Sequence, residues 1–132
     1  VSLMDIFPSS LSACHIPAPA SIPIDGVDLL PFLSGEIDQA PHKYLFWKTD
    51  FNKSVRHGKW KLMVNARDST MILYDLEADK QENFNVEAGH AEKLEHLLAR
   101  LAEWEQELIP PLWPGVMEYE EEFDCVRMRF AF

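Results

Sequence analysis

The stretch Ser54-Val55-Arg56-His57-Gly58-Lys59-Trp60-Lys61-Leu62-Met63-Val64 decides how this chain is read. Trp60, Leu62 and Val64 recur every second residue and so share one face, the signature of a half-buried β-strand. His57-Gly58 separates this run from Ser54-Val55-Arg56. A glycine there can supply the positive φ of a two-residue hairpin turn. The spacing predicts an antiparallel hairpin with its turn at His57-Gly58.

Working outward, the same period continues. From His42, the residues Tyr44, Phe46 and Lys48 alternate with Leu45, Trp47 and Thr49, an aromatic-rich strand. Beyond a loop at Asn65 to Ser69, Met71-Ile72-Leu73-Tyr74-Asp75-Leu76 reads as another strand. Consecutive hairpins make a meander. The period then changes: Leu94, Leu97, Leu98, Leu101, Trp104 and Leu108 form one stripe of a 3.6-residue repeat. Glu92, Lys93, Glu95, Glu103 and Glu105 occupy the opposite face, and Pro110-Pro111 stops the helix. The expected fold class is α+β: a small antiparallel β-sheet packed against a long C-terminal amphipathic helix.

The flanks are less regular. Leu3, Ile6, Phe7, Leu11 and Ala13 predict a helix over residues 3–14 that Pro8 kinks or starts afresh. Pro17, Pro19 and Pro23 then impose an extended connector. Asp25-Gly26 marks a turn before a short apolar segment, Val27 to Leu33. This region is too proline-broken for a core of its own and reads as the edge of something larger. It should expose Leu3, Ile6, Phe7, Leu29, Leu30 and Phe32, and large apolar patches favour association. At the other end, Glu118, Glu120, Glu121, Glu122 and Asp124 crowd around Tyr119 and Phe123. Val126, Met128, Phe130 and Phe132 then alternate with Arg127, Arg129 and Ala131, predicting a strand added to a sheet edge.

Composition bounds the function. With 47% apolar and 26% charged residues the chain is globular, and no run approaches the roughly 20 apolar residues of a membrane helix. The net charge of −10 hides a division. Residues 1–42 hold five acids and no Lys or Arg; residues 43–76 hold seven basic against three acidic; residues 77–132 hold five basic against fourteen acidic. The acid excess argues against nucleic acid as a partner, while the middle island suits a local anion. Two cysteines, Cys14 and Cys125, are too few for a disulfide framework and are expected as free thiols. The five histidines lack zinc spacing, and His90 and His96 read as helix-surface residues. Asp75, Asp79 and Glu82 lack the glycine and ligand spacing of an EF-hand and read as turn and capping acids. No nucleophile elbow, P-loop or dinucleotide fingerprint occurs. No catalytic residue and no metal ligand is assigned.

Three stretches together resemble the end of a sulfatase, a branch of the alkaline-phosphatase-like superfamily. The first is Asp5-Ile6-Phe7-Pro8, with Ile16-Pro17 and then Ile24-Asp25-Gly26-Val27-Asp28-Leu29-Leu30-Pro31-Phe32-Leu33-Ser34-Gly35. The second is Val55-Arg56-His57-Gly58-Lys59-Trp60-Lys61-Leu62, similar to the family's V-R-x-G-x-W-K-L hairpin. The third is Leu73-Tyr74-Asp75-Leu76 with Asp79, Glu82, Asn85 and Val86. Lys80 replaces the usual proline and Val86 the usual leucine.

The resemblance implies an arylsulfatase-like hydrolase of sulfuric esters, of which this chain is a C-terminal portion. Residues 1–42 correspond to the end of the catalytic domain and a linker, 43–109 to the C-terminal subdomain, and 110–132 to an acidic tail. Family members use calcium and a formylglycine made from Cys or Ser in C/S-x-P-x-R, all supplied by the N-terminal domain. Here Cys14-His15-Ile16-Pro17-Ala18 has its proline one place late and no arginine. The chain is therefore expected to be catalytically incomplete by itself and to help shape the substrate cleft. Lys48, Lys53, Arg56, His57 and Lys59 are the candidate contacts to a sulfated sugar or aryl substrate. The implied partner is the catalytic domain or a second copy of the chain, with no membrane; the family implies a periplasmic or secreted setting. The alternative is a stand-alone interaction or oligomerisation module built on the same subdomain.

Overall fold

Short connections at 50–51, 58–59 and 66–69 fold the middle of the chain back on itself three times. In the computed structural model, which describes residues 1–110, 112–113 and 115–131, the result is an antiparallel meander. Its strands are β1 (Leu45–Thr49), β2 (Asn52–His57), β3 (Trp60–Asn65) and β4 (Thr70–Asp75), in the order β1-β2-β3-β4. His57 pairs with Trp60, so the connecting residues are Gly58 and Lys59, one place later than the sequence suggests. Gly58 still supplies the left-handed conformation, at φ +58°.

The register sorts the side chains onto two faces. Phe46, Val55, Leu62 and Leu73 lie side by side across the four strands. Against them packs α3 (Ala91–Glu105), through Leu97 and Leu101, with Leu94, Leu98 and Trp104 around them. Val55, Leu62, Leu73 and Leu97 are fully buried, the centre of the main core. Leu108 lies beyond the helix end.

The other face carries Met63, Ile72 and Tyr74 and needs a cover of its own. That cover is a hairpin of β5 (Glu118–Phe123) and β6 (Val126–Ala131), which buries Met128 on Ile72 and Tyr74. The alternating run near the chain end is therefore a strand, but it forms a separate two-stranded sheet lying over a face, not an addition to an edge. The helix is accordingly sandwiched in sequence between meander and hairpin. Pro111, part of the expected helix stop, and Phe132, last of the alternating run, lie outside the described residues.

Two asparagines tie these layers. Asn65, fully buried, donates from Nδ2 to the Arg129 carbonyl (2.8 Å) and accepts the N–H groups of Arg67 (2.9 Å) and Asp68 (3.0 Å) at Oδ1. Asn85 accepts the Leu73 N–H at Oδ1 (3.0 Å), extending the hydrogen bonding of β4 past its free edge. Asp75 and Asp79 accept backbone N–H groups of the residues that follow them, the turn-forming role their spacing indicates. The β5–β6 connection places Asp124 and Cys125 at φ +45° and +63°.

The chain divides into two units, Val1–Lys43 and Tyr44–Phe132, the second being the one just described. The first is organised by a buried carboxylate. Asp5 accepts the N–H of Ser2 (2.6 Å) and of Val27 (3.0 Å), and meets Nε2 of His42 at 2.7 Å. Burial raises its pKa, yet the two N–H groups and His42 outweigh burial and hold the carboxyl below its ordinary value. A 3-10 turn at Leu3–Asp5 changes to α1 (Ile6–Ala13) just before Pro8, which therefore sits in a first turn where its missing N–H is harmless. One further helical turn, α2 (Leu30–Leu33), follows. Leu3, Ile6, Phe7 and Leu30 are exposed, whereas Leu29 is buried and Phe32 half-buried.

Two substitutions check this account. At Gly26 a Cβ would stand 2.0 Å from the Met4 carbonyl oxygen, so Gly26→Ala should cost about 1–3 kcal/mol and speed limited proteolysis of residues 1–43. Cys125→Gly removes an L side chain from a left-handed turn position and should raise stability by about 1 kcal/mol, read as a higher urea midpoint.

Candidate functional site

The five basic residues picked out in the sequence do not converge. Lys48 and Lys53 are register partners on β1 and β2 and point to the helix side of the sheet. There both ammonium groups close on Glu105 near the end of α3, Lys48 at 2.6 Å from Oε1 and Lys53 on Oε2. Lys59 sits at the β2–β3 turn and pairs with Asp75 (2.7 Å) and, more loosely, Glu77 (3.6 Å). The hydrogen bond it donates to Asp75 is the main reason the Lys59 ammonium stays charged beyond the usual lysine range. Arg56 alternates to the opposite face, exposed, with Nε donating to the Gly58 carbonyl (3.1 Å). It makes no ion pair among the described residues. Three of the five are thus occupied by carboxylates.

His57 has different neighbours. Its ring stacks on Tyr44 (centroids 4.5 Å apart) and lies 5.9 Å from the ring of His96. Tyr44 Oη and His96 Nε2 are 3.0 Å apart, and the Arg100 guanidinium lies over the Tyr44 ring at 5.1 Å. Six residues earlier, at the N-cap of α3, His90 meets Trp60 edge-on at 4.6 Å. Between the β2–β3 turn and the start of α3 this leaves an open concavity of about 680 Å³, lined by Trp60, His90, Glu92, Lys93 and His96. His90 and His96 read as helix-surface residues from sequence. They are, but the surface is concave and the sheet supplies its other wall.

The electrostatics of that wall come from the helix end as well as the side chains. No side chain caps α3 at His90, so the first-turn N–H groups point outward, and the helix start carries about half a positive charge. With Lys93 and any protonated histidine, this suits an anionic group, against which Glu92 is the opposing charge. Nothing in the set can act as a nucleophile with an oriented base. Among the described residues no group of three His, Cys, Asp or Glu side chains is placed to hold a metal ion. Cys14 and Cys125 are free and exposed, and no helix among the described residues is long and apolar enough to cross a membrane.

No protein-family model matches this chain. Over 52 residues, 39% of this chain and 9% of the relative, it is 40% identical to the Uncharacterized sulfatase YdeN of Escherichia coli (strain K12). Among solved structures, Ps i-CgsB in complex with k-i-k-neocarrahexaose superposes with a TM-score of 0.70 at 19% identity, over 86% of this chain and 26% of that one. BT1596, a 2-O GAG sulfatase, gives 0.65 at 23% identity, over 77% of this chain and 24% of that one. The chain thus spans about a quarter of the length of the structures whose fold it shares.

Glu105 sets a pH test for the lysine pair. Hydrogen bonds from Lys48 and then Lys53 hold its carboxyl below the ordinary 4.5 despite partial burial. A depressed folded pKa contributes stability that is complete above the unfolded value and lost as pH falls through the folded one. Glu105→Gln should cost about 1–2 kcal/mol near neutral pH. The gap in melting temperature to the unaltered chain should close as pH drops below 4.5; a gap independent of pH would contradict the assignment.

Proposed function

Taking this chain as a sulfatase-like segment that matches the C-terminal part of such enzymes, we propose that it walls one side of a sulfatase substrate cleft and contributes binding but not bond cleavage. The observation that carries this reading is the concavity beside the β2–β3 turn. There His90, Lys93 and His96 gather at an uncapped helix start, with His57 on the adjoining strand. Donors of this kind are those a sulfate ester's oxygens accept from. Arg56, free of carboxylates among the described residues, offers a second anion contact near the end of β2 on the opposite face, and Lys59 in the adjoining turn carries a charge shared by Asp75. Lys48 and Lys53 play a supporting part through Glu105 and are not offered as substrate contacts. The substrate class is a sulfated sugar or aryl ester, and calcium and formylglycine belong to the catalytic portion.

That catalytic portion is the proposed partner. Leu3 is 86% exposed, and Ile6 and Phe7 on the same short helix are exposed with it, apolar surface of the kind that a neighbouring domain covers. The competing reading, a self-standing interaction module, would cover the same surface with a second copy.

Two measurements decide. Inorganic sulfate titrated into the 132-residue chain should move the imidazole resonances of His90 and His96 together and saturably. In the full-length enzyme, His57→Ala with His96→Ala should raise KM for the sulfated substrate about tenfold with kcat little changed, the mark of lost ground-state binding. Unmoved histidine resonances and an unchanged KM would sink the reading. Sedimentation of the isolated chain at micromolar concentration tests the apolar surface, since a monomer counts against it.

A further inference from the structure

The meander has two outer strands, and they end the sheet in different ways. Along an antiparallel strand, successive residues turn their N–H and C=O groups to alternate sides. The two-residue connections make Thr49–Asn52 and His57–Trp60 hydrogen-bonded pairs, which sets the direction of the other groups. The bond from the Ala66 N–H to the Phe51 carbonyl (2.9 Å) continues the same alternation. On β4 the outward residues are therefore Met71, Leu73 and Asp75. Asn85 accepts the Leu73 N–H (3.0 Å) and donates to the Met71 carbonyl (3.4 Å). The N–H groups of Val86 (2.9 Å) and Asp79 (2.8 Å) reach the carbonyls of Leu73 and Asp75. The loop after β4 closes that edge.

On β1 the outward residues are Phe46 and Lys48, and among the described residues nothing meets their N–H and C=O groups. Proteins guard such an edge with a proline, a bulge or a charge. β1 has no proline, and its pairing with β2 runs unbroken over its length. Its lysine sends the ammonium to Glu105 (2.6 Å), so the charge that would repel another strand is already met. Trp47 alternates to the face opposite Lys48 and is 46% exposed. Past the end of the strand the Gly115 N–H donates to Asp50 (3.3 Å), which sets the exposed Trp113 and Val116 near this edge.

The sequence of β1 suits a copy of itself. A twofold axis at Trp47 sets Phe46 opposite Lys48 of the second copy, and Lys48 opposite its Phe46. Every outward N–H then meets an outward C=O. The two Trp47 side chains face each other in a non-hydrogen-bonded pair, where cross-strand side chains come closest and aromatic pairs stabilise. On the other face each Lys48 stem lies along a Phe46 ring. An axis at Lys48 would oppose two like charges, and one at Phe46 would draw on Tyr44, which lies outside the strand. An isologous contact needs this self-complementarity; an unrelated peptide does not.

We propose that β1 pairs antiparallel with β1 of a second copy about a twofold axis at Trp47, joining two four-stranded meanders into one continuous sheet. The contact is separate from the anion concavity and from the exposed residues of α1, so it stands or falls apart from the sulfatase reading. Sedimentation of the full 132-residue chain from low to high micromolar concentration should show a reversible monomer–dimer equilibrium. Trp47→Glu, at an exposed position, should weaken it about tenfold or more. Lys48→Pro deletes an outward N–H that the meander does not use and should abolish the dimer. Lys48→Met also loses the Glu105 pair but keeps that N–H, and should dimerise like the unaltered chain. With Cys14→Ser and Cys125→Ser in place, Trp47→Cys should cross-link under mild oxidation, since non-hydrogen-bonded partners stand about 4.5 Å apart at Cα. Thr49→Cys should not. Should Lys48→Pro fail to fold, the cross-link decides. A chain that stays monomeric overturns the proposal and leaves the edge to a strand of the catalytic portion or of another protein. A dimer that tolerates Lys48→Pro and does not cross-link through position 47 overturns it too, and is held by the Ile6 and Phe7 surface instead.

Discussion

A sheet of four strands has two faces, and here both are apolar. The row Phe46-Val55-Leu62-Leu73 must be shielded on one side and Met63, Ile72 and Tyr74 on the other. That double requirement explains the order of the second unit, in which a helix and then a hairpin follow the meander and take opposite faces. It also places the candidate site: the concavity lies where Trp60, at the start of β3, meets the start of α3.

Much of this was legible because it is local. Period two over residues 44–76 and period 3.6 over 94–104 announce the strands and the helix, and neighbouring strands with tight turns can pair in only one simple way. The role of the acidic end was not. Glu118 to Glu122 face solvent on β5, and their charge drowns the signal of Met128 and Phe130 on its partner; the choice between edge and face depends on which surface of the sheet still lacks a cover. The turn slipped by one residue for a related reason, since His57-Gly58 and Gly58-Lys59 both offer glycine a left-handed position.

The basic island of residues 43–76 shows why charge counts mislead. Lys48 and Glu105 are 57 positions apart, and no local pattern links them. Yet one carboxylate absorbs two of the island's cations, and Asp75 absorbs a third. Conversely, His90 and His96 looked like solvated helix residues, because no pattern in the sequence reveals that the helix start faces a turn built over thirty residues earlier. Spacing finds ligands that lie on one element; it does not find those that two elements bring together.

The bond from Asn65 to the Arg129 carbonyl spans 64 residues, whereas the strands of the meander close over connections of two to four residues. Contacts of such different range form at different times, local ones first. The meander can therefore pair while Ile72 and Tyr74 still face water, and the strand that covers them is made after everything it covers. For that interval the sheet presents an apolar face to water. During synthesis this is the surface on which a chaperone would act, and the one through which a truncated product would aggregate.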